Sequence, residues 1–434
     1  MKFKMPGIIL MLLLMLFWHT GCGKQNHPDV EIISTQKLSD TGSTRATAYN
    51  MSTKIITDDK NIFVTWLDQP ADIRIKAMNL KTGEWGNTVT LGKGVDNHSG
   101  AALTMDSAGY LYAAFGPHHG PFQFKRSSSP HDITEWVTLE DFGFNATYPS
   151  LVCGPKDTLF IAYRSSTTDP WRLLFQRRAP GGTWSEAVPV LDTSVKDYAQ
   201  FGNVLAVDQS GRLHLGFHIY DLQPPAGKSI GYLYSDDGGR SWHSAAGEKM
   251  ELPVTPESTC FIEQGEELDM RIGTLALDSN GHPWLTAIHL EKSPRTVLLW
   301  HHDGEDWHST DLHEFVEPVR QGGELVSGSL SIDRNDVIYI ACAVADKLDR
   351  DVQYWGHPSQ EMYLLVSFDK GATFSAQPVS THDAETPNWL ANIERPYSAS
   401  AIGAPAFLYT HGVAGSTVHC SDSTEVYFNR IQVK

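Results

Sequence analysis

Asp208-Gln209-Ser210-Gly211-Arg212-Leu213-His214-Leu215-Gly216-Phe217-His218 is a tight turn followed by an alternating apolar run, and the chain repeats it. Asp and Ser cap the turn amides, Gly takes the left-handed φ that closes it, and a period of two marks a half-buried strand. The same unit recurs at 57–61 before IFVTWLD, at 106–109 before YLYAAFG and at 154–157 before TLFIAYR. It returns at 278–281 before HPWLTAI, at 333–336 before VIYIACA and at 402–405 before AFLYTHG. Seven such units, spaced roughly 50–70 residues apart, predict a β-propeller, because one small sheet cannot bury both its faces alone.

Each unit extends into a blade. An inner strand precedes the turn, a third strand follows the second, and an aromatic ends the next turn in six units: Trp85, Trp136, Trp184, Trp242, Trp307 and Phe374. The seventh unit runs out at the C-terminus, and Val30–Ser34 has the pattern to supply its missing outer strand, which would close the ring and remove open sheet edges. Two turns, Ser235-Asp236-Asp237-Gly238-Gly239-Arg240-Ser241-Trp242 and Ser367-Phe368-Asp369-Lys370-Gly371-Ala372-Thr373-Phe374, carry the Asp-box pattern Ser-x-Asp-x-Gly-x-x-aromatic. Its role is architectural: Asp caps amides, Gly permits a positive φ, and the aromatic packs between sheets. The expected fold is all-β, a seven-bladed propeller of four-stranded antiparallel blades over residues 22–434 of the 434-residue chain.

Residues 1–21 read as a leader. Lys2 and Lys4 precede an apolar run from Ile8 to Trp18, too short for a membrane span, and Thr20-Gly21-Cys22 follows. That ending resembles a lipobox, so lipidation of Cys22 and attachment to the bacterial outer membrane are expected. Loss of the two lysines would carry the formal net charge from −17 to −19, which opposes nucleic-acid binding and adhesion to anionic surfaces. Cys153, Cys260, Cys342 and Cys420 show no pairing pattern, and the first and third sit in apolar strands.

In a propeller the inner strand begins and the second strand ends on one face. Asp96-Asn97-His98 and His118-His119 gather there from the second unit, and Tyr148, Tyr163 and Arg164 from the third. The fourth offers Asn203, His218 and Tyr220, the fifth Arg271 and His289, and the seventh Arg395, Tyr397 and His411. No carboxylate pair of the kind used for glycoside hydrolysis stands out. Imidazole and phenol exchange protons near neutral pH, and a guanidinium neutralises a carboxylate. Those parts suit removal of the proton beside a uronate carboxyl group with loss of the oxygen on the next carbon.

The series DNHSGAALTMDSAGYLYAAFGPHH, TYPSLV, LFIAYR, LLFQRR and GYLYSDDGGRSW resembles the BNR-repeat propellers, which include ulvan lyases and related enzymes of rhamnose–uronate glycans. The resemblance implies β-elimination, as a polysaccharide lyase or an oligosaccharide dehydratase. It implies His98 with His118 or His119 at the scissile bond, Tyr163 as proton donor or acceptor, and Arg177 (with Arg178 or Arg164 as alternatives) on the uronate. Tyr220, Asn97 and Arg271 would add substrate contacts. The same scaffold also serves an exo-acting α-L-rhamnosidase-like hydrolase, and a non-catalytic glycan-binding protein is the third reading. The expected partners are an acidic glycan and the membrane through the lipid, with no nucleic acid and a monomeric chain. No cofactor is expected, and a structural metal ion stays open.

Overall fold

Short alternating runs between turn residues give strands, and the strands of this computed structural model pair almost wholly with their sequence neighbours. The structure describes residues 29–166, 170–193, 198–221, 229–349, 352–419 and 422–434. Cys22, the leader and Cys420 lie outside the described residues.

Among the described residues the strands form five antiparallel sheets, two of eight strands and three of four, and each eight-stranded sheet divides into two groups of four. The third group, for example, runs Phe142–Cys153, Leu159–Ser165, Arg172–Arg178 and Val188–Asp192, and the fourth runs Ala199–Val207, Leu213–Asp221, Ser229–Ser235 and Phe261–Gln264. The last group consists of Asn388–Ile393, Ala406–His411, Thr424–Val433 and, from the other end of the chain, Val30–Gly42. That strand is longer than the expected 30–34 and pairs from Val30↔Val433 down to Gly42↔Thr424.

Hydrogen bonds tie each inner strand to the next group. Leu103 N donates to Thr53 O (2.8 Å), Leu205 N to Ser150 Oγ (2.9 Å) and Ile272 N to His218 Nδ1 (3.0 Å). Thr274 Oγ1 donates to Leu330 O (3.2 Å), Ile393 N to Ser329 Oγ (3.2 Å) and Thr47 Oγ1 to Leu390 O (2.7 Å). The second and third groups are joined directly by Phe142↔Phe122 and Ala146↔Gly120.

Both Asp-boxes are peripheral. Asp237 Oδ1 accepts from Arg240 N (2.8 Å) and Ser241 N (2.9 Å), and Trp242 is buried edge-on to Phe175 at 5.3 Å. Gly239 has φ +81° and a Cβ there would overlap the Phe175 ring, so the motif needs glycine on two counts. Cys153, Cys260 and Cys342 are free, buried thiols.

Candidate active site

Local backbone geometry aims the site. Asp96 Oδ1 accepts the His98 N–H (2.7 Å) in a tight Asx turn, which folds the imidazole back over the carboxylate. His119 (φ 68°) and Tyr148 (φ 62°) both occupy the left-handed region, sparsely populated for such residues. A bulge between Thr147 and Ser150 breaks the pairing of the third inner strand and turns Tyr148 inward.

The result is a stack of rings. Tyr49 lies 5.6 Å from His98, His98 3.9 Å from His118 and His118 4.2 Å from His119, all centroid to centroid. Trp171 closes the row edge-on at 5.3 Å from His119, and Tyr148 tilts against Tyr49 at 4.7 Å.

Asp96 organises the protons. Its Oδ1 lies 3.0 Å from His98 Nδ1 and its Oδ2 2.6 Å from His118 Nδ1. Burial opposes its charge, but the hydrogen bonds from His118 and His98 prevail and hold the carboxyl well below its usual range. Arg45 Nη1 lies 2.8 Å from His98 Nε2 and 2.6 Å from Tyr49 Oη. A guanidinium only donates, so His98 accepts at Nε2 and carries its proton on Nδ1. His118 likewise donates Nδ1–H to the carboxylate, and its Nε2 makes no hydrogen bond among the described residues. With a fifth of its side chain exposed (20%), His118 leaves that lone pair available.

Burial first, then the guanidinium charge of Arg45 beside His98 and of Arg164 near His119, lowers both imidazoles to about 4, so both are neutral at pH 7. Burial also raises the Tyr49 and Tyr148 phenols. A folded-state His pKa below the unfolded value means the unfolded chain takes up protons first as pH falls. Wild-type stability should therefore drop between pH 6.5 and about 4, and His98→Gln should lose less over that window. Thermal midpoints against pH decide this; equal slopes in the two proteins would contradict it.

Arg45, Tyr49, His98 and Tyr148 line an axial cavity of about 450 Å³ where the inner strands begin. Its far wall carries Asn203, His218 and Arg271, with Trp355 and Trp389 beside them. His218 is buried, accepts Ile272 N–H at Nδ1, and so bears its proton on an Nε2 with no partner among the described residues. No aspartate or glutamate lines this cavity among the described residues. Asp96, His98 and His118 place ligand atoms within 4.8 Å of one another and could hold a metal ion. The Arg45 cation against His98 works against a second cation there.

The other expected residues divide sharply. Tyr163 is a correction: it is 1% exposed, donates to Gln176 Oε1 (2.7 Å) and packs edge-on to Phe122 between the second and third groups. Tyr163→Phe should leave turnover unchanged while costing about 1 kcal/mol of stability; a large activity loss in steady-state kinetics would restore its assigned role. Arg177 is a second correction, because its Nη1 reaches Gly238 O (3.3 Å) in the peripheral Asp-box. Arg178 is bound to Glu140 at 3.0 Å. Asn97 is buried against Thr44 Oγ1 (3.1 Å) and supports the turn rather than lining the cavity. Arg164 is buried under the site, its guanidinium over Tyr148 (4.5 Å), Trp171 (4.8 Å) and Tyr198 (5.7 Å). Arg271 lies over Tyr220 at 4.0 Å and is held by Asp269. His289 is buried between Glu291 and Glu263, and His411 is bonded to Asn388, both outside the cavity.

Residues 61–315 match the model of a BNR repeat-containing family member. The chain belongs to this BNR-repeat family. An ulvan lyase of Nonlabens ulvanivorans is 22% identical over 56% of the chain, and one of Alteromonas sp. (strain LOR) is 21% identical over 51%. Those alignments span 62% and 54% of the two relatives' own lengths, which is less than two thirds of either. Among solved structures, a polysaccharide lyase PL25 ulvan lyase superposes with TM-score 0.69 at 16% identity, covering 92% of this chain and 94% of that one. The polysaccharide lyase Uly1 superposes with TM-score 0.61 at 14% identity, covering 93% and 99%. At such identities the likeness shows the fold of this BNR-repeat protein: all-β and propeller-like.

Proposed function

We propose that this protein is a closed seven-bladed propeller that acts on uronate-containing glycans of the ulvan type by β-elimination. The observation that carries the reading is His118, held by Asp96 and stacked on His98, next to an axial cavity lined by Arg45, Tyr49 and His98 that shows no carboxylate among the described residues. The hydrogen bonds around the seven groups support the closed ring, and the ulvan lyase relatives support the substrate class.

In this reading Arg45 takes the uronate carboxylate through the nitrogen it does not spend on Tyr49 and His98. Neutralised in that way, the adjacent carbon yields its proton to His118 Nε2, while the ionised Asp96 stabilises the imidazolium that forms. The electron pair becomes a carbon–carbon double bond, and the bond to the oxygen on the next carbon breaks. Tyr49, kept protonated by burial, supplies the proton that oxygen needs. Hydrolysis is disfavoured, since a pair of carboxyl groups flanking the bond is its usual requirement.

Incubation with ulvan and with shortened oligomers, followed by mass spectrometry, tests the reading. A lyase divides the oligomer and leaves an unsaturated uronyl end; a dehydratase subtracts one water. Unchanged masses across a panel of acidic glycans would reduce the protein to a binding module. The proposal includes a lipid anchor at Cys22 in the outer membrane, which palmitate labelling lost in Cys22→Ala would support and labelling unaffected by that change would refute.

A further inference from the structure

The opposite end of the axis carries a feature that glycan chemistry leaves unused. Arg395 follows the last inner strand, is 4% exposed, and its Nη1 is buried without a hydrogen-bond partner among the described residues. It faces a second cavity of about 330 Å³, formed where the inner strands of the fourth, fifth and sixth groups end. The chain then crosses that mouth. Tyr397 O accepts Cys153 N (3.0 Å) and Thr104 Oγ1 (2.8 Å) on one side, and Ile402 O accepts Arg334 N (2.9 Å) on the other.

Among the described residues no carboxylate answers this cation. Asp208, Asp278 and Asp333 line the cavity, but each caps its own turn: Asp208 on Ser210 N and Arg212 N, Asp278 on Asn280 N and His282 N, Asp333 on Asn335 N and Val337 N. Glu394 accepts Ala406 N, and burial pushes its carboxyl toward the neutral form. Lys54 adds a further buried cation, 1% exposed, bonded among the described residues to a single carbonyl, Ala101 O (3.3 Å). Burial, then repulsion from Arg395, lowers its ammonium to about 7, and burial alone lowers Arg395 to about 10. A buried charge without a counter-ion is costly unless something pairs with it.

We propose that Arg395 forms the floor of an anion site, which takes a small inorganic oxyanion such as sulfate or phosphate beneath the 396–402 crossing. A guanidinium presents parallel donors to such an anion, and the cavity has room for the ion with its waters. The bound anion neutralises Arg395 and pins the crossing that seals the lower mouth. Exposed Arg334, lining the same cavity, marks the route of entry. This site is independent of the elimination chemistry.

Calorimetric titration of the full chain with sodium sulfate, sodium phosphate and sodium chloride at matched ionic strength tests it. Saturable one-site binding of an oxyanion, a raised melting midpoint, and loss of both in Arg395→Met are expected. No saturable binding of either oxyanion, binding of chloride alone, or undiminished binding by Arg395→Met would overturn it. Should that variant fail to fold, wild-type crystals soaked in selenate decide the matter. An anomalous peak within hydrogen-bond reach of Arg395 supports the site; peaks elsewhere, an adventitious ion only, refute it.

Discussion

His118→Ala should lower kcat on a uronate glycan by about 10²–10⁴-fold, the range that a positioned proton-transfer group contributes, with a smaller change in KM. The imidazole is built for that role. Its Nδ1 is committed to Asp96 at 2.6 Å, its Nε2 is left as an acceptor, and its ring is fixed between His98 and His119 at 3.9 and 4.2 Å. Asp96→Asn is the informative companion. An amide in that place can donate as well as accept, and its N–H turns His118 into the tautomer that carries its proton on Nε2, where no base remains. Steady-state kinetics should therefore show a comparable kcat loss in Asp96→Asn despite an intact fold. Full activity in both variants would remove the histidine from the chemistry.

Arg45→Met carries the second large effect. The guanidinium bonds Tyr49 and His98 at 2.6 and 2.8 Å and lines the axial cavity. Truncating one partner of a desolvated charge pair costs about 2–5 kcal/mol, roughly 30-fold to several thousand-fold in kcat/KM. Part of the loss should be recoverable with Arg45→Lys, which keeps the charge without the fork. Arg177→Ala serves as the control, because that side chain ends on Gly238 O at the periphery and should leave kcat/KM intact. Equal losses at positions 45 and 177 would mean that the carboxylate is held elsewhere.

The architecture was legible because its signals are local. Turns such as Asp208–Gly211 and Asp106–Gly109 cap themselves with their own aspartate, so their chemistry shows in four consecutive letters. The imidazoles were legible for a similar reason: Asp96 and His98 sit two residues apart, and His118 ends the neighbouring strand. Tyr163 was misread because Leu159–Ser165 is buried along its whole length, so alternation does not tell which face looks toward the cavity. Leu159, Ile161 and Tyr163 pack toward the second group, whereas Phe160 and Ala162 pack toward the fourth. Tyr148 depends on a bulge and a positive φ that no periodicity announces. Arg45 and Tyr49 lie in a turn-rich stretch ahead of the first inner strand, outside the repeat, and Trp355 belongs to a loop of the sixth group. Their part in the site follows only from the tertiary packing.

Reaction with an ulvan oligomer in water enriched in oxygen-18 tests proton abstraction at the axial site most directly. The account predicts fragments with an unsaturated uronyl end and no heavy oxygen taken up at the broken linkage, and a steep fall in those fragments with His118→Ala. Saturated fragments carrying one heavy oxygen would show hydrolysis and contradict it.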